Sequence, residues 1–135
     1  MKKLIILFIF LLIPWLLPAP GSAVCHIERI EPINVYNRLA EAVYTVESSR
    51  NPLAYNPKED AVGGFQIRQC KLDQYIKETG KFYTLEQMYD IKTAKSIFMH
   101  FAVKYDYTDI KGICRDWNGK SEKNVYYNKI QKTLL

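Results

Sequence analysis

The chain has 135 residues and a formal net charge of +5, from 19 Lys and Arg against 14 Asp and Glu. That length is room for one domain, and its charges are interspersed, with no long basic run of the kind that marks a nucleic-acid surface. Three cysteines, an odd number, exclude a disulfide-dense scaffold and allow at most one internal bridge.

Residues 1–23 read as a secretory signal peptide. Lys2 and Lys3 form a basic start, Leu4 to Leu17 is nearly all apolar, and Gly21-Ser22-Ala23 supplies a small-x-small cleavage site after Ala23. A spanning helix needs roughly 20 apolar residues; this stretch is shorter, and Pro14 and Pro18 interrupt it. The expectation is export to the periplasm or the extracellular space, leaving a domain at residues 24–135. Losing Lys2 and Lys3 lowers the formal charge from +5 to +3.

The domain opens with an irregular lead-in closed by Pro32. A first helix is predicted from Asn34 or Val35 to about Glu47, with Asn34 as N-cap, because Leu39, Val43 and Val46 recur at spacings of four and three. Asn51-Pro52, Asn56-Pro57 and Gly63-Gly64 then mark a loop with room for a short strand. Helical pattern resumes from Phe65 to Thr79 and stops at Gly80. Thr84-Leu85-Glu86-Gln87 fits a capping box on a short helix, and Asp90 caps the next, to about Tyr105, with Ile91, Ala94, Ile97, Phe98 and Phe101 as its buried stripe. A loop at 106–109, a helix from Ile110 to Trp117, a stop at Asn118-Gly119 and a last helix from near Ser121 complete a mostly α domain.

Cys70 and Cys114 lie inside predicted structured segments and are the expected bridge, with Cys25 then free or lipidated; three unpaired thiols are the alternative. His26 and His100 stand apart from each other and from the cysteines, so no metal site is expected.

Glu47 follows Val43 by four positions and Leu39 by eight, so it shares their helix face and projects from the apolar side near the helix end. Apolar surroundings disfavour a carboxylate and raise its pKa, the condition a general acid needs near neutral pH.

The residues around it resemble the lytic transglycosylase and goose-type lysozyme family, typified by the soluble lytic transglycosylase catalytic domain. Glu47-Ser48, Asn51-Pro52 and Ala54 match the family's first motif, and Ala61, Gly63, Gln66 and Ile67 match its second, with Gly64 and Phe65 where the family usually has Leu and Met. Trp117-Asn118-Gly119 resembles its aromatic-Asn-Gly motif, and Tyr126 its closing tyrosine.

The resemblance implies a lysozyme-like single domain with a short loop or β element between its first two helices. It implies cleavage of the β-1,4 bond between N-acetylmuramic acid and N-acetylglucosamine in peptidoglycan. Glu47 is then the catalytic acid, without metal or organic cofactor, and Ser48, Gly63, Phe65, Gln66, Trp117, Asn118 and Tyr126 are substrate-binding residues. Gly63 would admit a sugar chain close to the backbone, Gln66 and Asn118 would hydrogen-bond hydroxyl or N-acetyl groups, and Phe65 and Trp117 would offer flat faces to sugar rings. Trp117 suits the core equally well, and Ser48 suits a hydrogen bond to the helix-end backbone.

Two-carboxylate glycosidases need a partner acid. Glu59 and Asp60 could reach the cleft but stand in no motif, so a lone glutamate favours the transglycosylase over a hydrolytic lysozyme. A non-catalytic peptidoglycan-binding or assembly module is the alternative of another class. The expected partner is the glycan strand of peptidoglycan and the expected state a monomer; service to an envelope-spanning secretion or conjugation machine, remodelling of the cell's own wall and attack on a competitor all stay open.

Overall fold

The computed structural model describes residues 31–119 and 124–135. The expected signal peptide, Cys25, His26 and Ser121 lie outside the described residues. The elements run α1 (Pro32–Ser48), β1 (Tyr55–Asn56), β2 (Ala61–Val62), α2 (Gln69–Thr79), a 3₁₀ helix (Leu85–Tyr89), α3 (Ile91–Ala102), α4 (Ile110–Asn118) and α5 (Val125–Leu134). The chain is thus mostly α, with a two-residue antiparallel hairpin between the first two α-helices.

Pro32 begins α1 where closure of the lead-in was expected. Proline is preorganised for the first helical position, where its missing N–H is no loss, so the helix starts ahead of Asn34. The face carrying Leu39, Ala40, Ala42 and Val43 is buried, and α1 packs most extensively on α5. Ser49 and Arg50 end the helix in left-handed backbone, φ 53° and 64°, with the Arg50 N–H donating to the Tyr44 carbonyl at 3.3 Å. Neither residue is glycine, so this turn is held from outside. The Tyr44 hydroxyl donates to the Arg50 carbonyl at 2.8 Å, the Arg50 guanidinium lies 5.2 Å from the Tyr44 ring centroid, and it pairs with Glu41 at 3.0 Å.

Residues 63–66 form a tight turn rather than the start of a helix. Val62 and Ile67 exchange both backbone hydrogen bonds at 2.9 Å across it, and α2 begins only at Gln69. Gly63 makes the turn possible. Its φ is +78°, and a Cβ there would lie 2.1 Å from the Met88 carbonyl oxygen. Gln87 accepts from the Thr84 N–H at 2.9 Å at the start of the 3₁₀ helix, and the Asp90 carboxylate accepts from the Thr93 N–H at 2.8 Å at the start of α3, so both sequence signals act as helix starts.

A run of aromatic rings ties the elements together. Tyr44 of α1 stacks on Phe65 at 5.8 Å, Phe65 on Phe98 of α3 at 5.6 Å, and Phe98 meets Trp117 of α4 edge-on at 5.0 Å. Rings at these separations and angles add stabilisation beyond the area they bury.

The expected Cys70–Cys114 bridge is absent, and both residues are free thiols. Cys70 is exposed in the first turn of α2, whereas Cys114 is buried in α4. One side chain faces solvent and the other the interior.

Candidate active site

Two cavities meet at Tyr126. The larger, about 300 Å³, lies on the α4–α5 side against Lys111, Cys114, Arg115 and Tyr127 and has no carboxylate in its lining among the described residues. The smaller, about 250 Å³, is a cleft that contains Glu47. Its walls come from the end of α1 (Val46, Glu47), the hairpin loop (Asn56, Glu59), the 63–66 turn and start of α2 (Gln66, Arg68, Lys71), the end of α4 (Trp117, Asn118) and α5 (Tyr126, Lys129).

Glu47 is partly buried on the cleft floor. Burial pushes its carboxyl up to about 7, against the opposing hydrogen bond from Tyr126 and the charges of Arg68 and Lys129. Desolvation wins because the carboxylate has left water while those cations act at longer range and nearer solvent. The Tyr126 hydroxyl donates to Glu47 Oε1 at 2.7 Å. Its ring is 8% exposed, and burial together with the Glu47 charge holds its hydroxyl above the ordinary tyrosine range, so it stays protonated as a donor. The pair spans 79 positions of sequence and depends on the α1–α5 packing.

Gln66 reaches the cleft from strained backbone, φ 50°. Its amide nitrogen donates to the carbonyls of Gly63 at 3.0 Å and Ala54 at 3.4 Å, which leaves its carbonyl oxygen as the acceptor available to a ligand. Asn118 is exposed at the end of α4 on the opposite wall. Trp117 is both things its sequence context allowed: it is 6% exposed, packed on Phe98, and its remaining surface lines the cleft.

Three expected substrate contacts stand elsewhere. Phe65 is 1% exposed between Tyr44 and Phe98; a ring stacked on both faces inside the core offers none to a sugar. Gly63 is buried against the Met88 carbonyl, so its missing side chain serves internal packing rather than access. The Ser48 hydroxyl donates to the Tyr44 carbonyl at 3.0 Å, and Ser48 is outside the cleft lining.

The two acids weighed as partners for Glu47 separate. Asp60 accepts from the Tyr55 hydroxyl at 2.9 Å, outside the cleft lining. Glu59 lines the cleft, 58% exposed, and pairs with Arg68 at 3.7 Å.

Sequence reasoning gives no sign of Arg68, Lys71 and Lys129, since a lone basic residue on a helix reads as a solvated face. Lys71 is the most embedded. Its ammonium lies 4.3 Å from the Phe101 ring centroid and 5.9 Å from that of Trp117. It donates to the Asp116 carbonyl at 3.0 Å, and burial lowers its pKa against the pull of the Asp116 charge. Lys71 thereby ties α2 to the last turn of α4, beside Trp117 and Asn118. Among the described residues no group of three or more His, Cys, Asp or Glu is placed to hold a metal ion.

Comparison of the chain with protein-family models, with curated proteins and with solved structures returns no match.

Proposed function

We propose that this protein is an exported peptidoglycan-cleaving enzyme of the lysozyme-like kind, a lytic transglycosylase, with Glu47 as its general acid and base. The observation that carries this reading is the Glu47 carboxyl: partly buried in a cleft, pushed up to about 7, and held through one oxygen by Tyr126. A carboxyl with that pKa is present in both protonation states near neutral pH, as a group that first gives and then takes a proton must be. The ordered motifs around Glu47, Gln66, Asn118 and Tyr126 add the family resemblance.

In the first step Glu47 donates its proton to the bridging oxygen as the C1–O bond breaks. The carbonyl oxygen of the substrate's own N-acetyl group closes on C1 and carries the positive charge. In the second step the Glu47 carboxylate takes the proton of the C6 hydroxyl as its oxygen attacks C1. A 1,6-anhydro end forms and the N-acetyl group is released. Tyr126 occupies Oε1 throughout and orients Oε2 towards the sugar.

Glu59 favours a second reading, hydrolysis with two carboxylates, because it lines the same cleft. Its ion pair with Arg68 and its exposure favour the first. Digestion of purified peptidoglycan by wild type and Glu47→Gln, read by mass spectrometry, tests both. The expected result is 1,6-anhydro ends from wild type and a loss of roughly 10²–10⁴-fold in rate for the variant. Reducing ends from wild type would mean a hydrolase, and equal digestion by the two proteins would remove Glu47 from the chemistry.

A further inference from the structure

The cleft is more cationic than cleavage of a neutral sugar chain requires. Arg68, Lys71 and Lys129 all line it. Among the described residues Glu59 is the one lining carboxylate apart from Glu47, and it is engaged by Arg68 at 3.7 Å. Asp116 faces Lys71 from α4 at 3.7 Å. Lys129 has no ionic partner among the described residues, and it stands on α5 one turn beyond Tyr126, on the helix that delivers the Tyr126 hydroxyl to Glu47. The protonated form of Glu47 contributes no negative charge, so in the acid-competent state the cleft carries a cationic surplus. Lys71 is partly buried but is already met by the Asp116 carboxylate and carbonyl, so the lining cation left without an ionic partner among the described residues is Lys129.

We infer that the cleft recognises a carboxylate on its glycan ligand, with Lys129 as the residue that selects acidic sugar chains over neutral ones of the same backbone. This rests on the glycan-cleaving reading and adds a specificity to it. Peptidoglycan offers that chemistry in two places, the lactyl carboxylate of a peptide-free muramyl residue and the carboxylates of a peptide stem. Lys129 lines the same cleft as Glu47 and its charge acts on the Glu47 carboxyl.

Calorimetric titration of the full chain carrying Glu47→Gln tests the inference without turnover and without titration of the acid. Three probes are compared at low salt: a neutral N-acetylglucosamine tetramer, a peptide-free tetrasaccharide with free lactyl carboxylates, and the same tetrasaccharide bearing peptide stems. At least one acidic probe should bind about tenfold more tightly than the neutral one, as expected for about 1.4 kcal/mol from partly screened ion pairs. Whichever acidic probe binds better identifies the source of the carboxylate. Adding Lys129→Gln should remove about three- to tenfold of that preference and leave the neutral tetramer within about twofold. Lys71→Gln, at a cation that Asp116 already pairs, should change the preference by less than Lys129→Gln, with its melting temperature measured because it also loses the Asp116 contact.

Lys92→Gln, the same charge change on the exposed side of α3, should leave the preference intact. Equal affinity for neutral and acidic probes overturns the inference and leaves the glycan reading standing. So does a Lys92→Gln effect as large as that of Lys129→Gln. Binding of none of the three probes overturns the glycan reading itself.

Discussion

Glu47 combines two requirements that pull against each other. On the proposed reading the acid must be buried enough to hold its proton near neutral pH and must still face its substrate. Burial raises its pKa from 4.5 to about 7, and the same shift has a stability cost with a definite sign. Between those two values the folded state binds more protons than the unfolded chain, so stability is greatest below about 4.5 and falls as pH rises towards 7. A shift of this size corresponds to about 3 kcal/mol. Glu47→Gln removes the titration, so urea unfolding should find the variant gaining about that much on wild type between pH 4 and pH 8. An unchanged difference across that range would mean a solvated Glu47. Tyr126→Phe tests the other half of the pair. The hydrogen bond from Tyr126 lowers the Glu47 pKa, so its loss should raise it further. The alkaline limb of kcat/KM reports the acid of the free enzyme; it should lie near 7 in wild type and move upward in Tyr126→Phe. A downward move would contradict the geometry.

The elements around the cleft are held by features that differ in how plainly they show in sequence. The α1 face was legible, because Leu39, Val43 and Glu47 share it by spacing alone, and so were Gln87 and Asp90 as parts of helix starts. The 63–66 turn was not. Phe65 fits a helical apolar pattern with the residues after it, but Gly63 at φ +78° and the paired Val62–Ile67 bonds close a turn first. Periodicity does not report a turn whose residues are apolar. Motif likeness also suggested sugar contacts for Gly63 and Phe65, whereas packing assigns them to Met88 and to the aromatic run. Gly63→Ala should therefore lose stability, with left-handed backbone alone costing about 1–3 kcal/mol and the clash with the Met88 carbonyl adding to it. The check is the urea midpoint. A midpoint within error of wild type would mean that the turn and the 3₁₀ helix separate easily. Because this turn also carries Gln66, activity at a temperature where the variant is folded should fall as well.

At the scale of the whole molecule, helices distant in sequence converge on one cleft. Glu47 and Tyr126 are 79 residues apart. Motif order hints at their meeting, but no local pattern contains it, and the inward setting of Lys71 is equally invisible to periodicity. The cysteines show the same limit. Both lie on helices, as expected, and only the assembled fold shows that one faces out and one in. The environments differ chemically as well: burial, with a smaller contribution from the Glu47 charge, pushes the Cys114 thiol up to about 12. A thiol with that pKa is almost wholly protonated at neutral pH and is a poor nucleophile. In a Cys25→Ser background, a thiol reagent at pH 8 should modify Cys70 at once in the native protein. Cys114 should react only as fast as the domain opens, since it lies in the helical core next to the Glu47 wall. Its protection should then weaken in urea in step with global unfolding measured by circular dichroism. If Cys114 instead reacts quickly and without urea dependence, α4 opens on its own, and the cleft wall formed by Trp117 and Asn118 moves independently of the Glu47 helix. If neither thiol reacts until a reductant is added, Cys70 and Cys114 are bridged, and α2 and α4 pack with both cysteines facing each other rather than one out and one in.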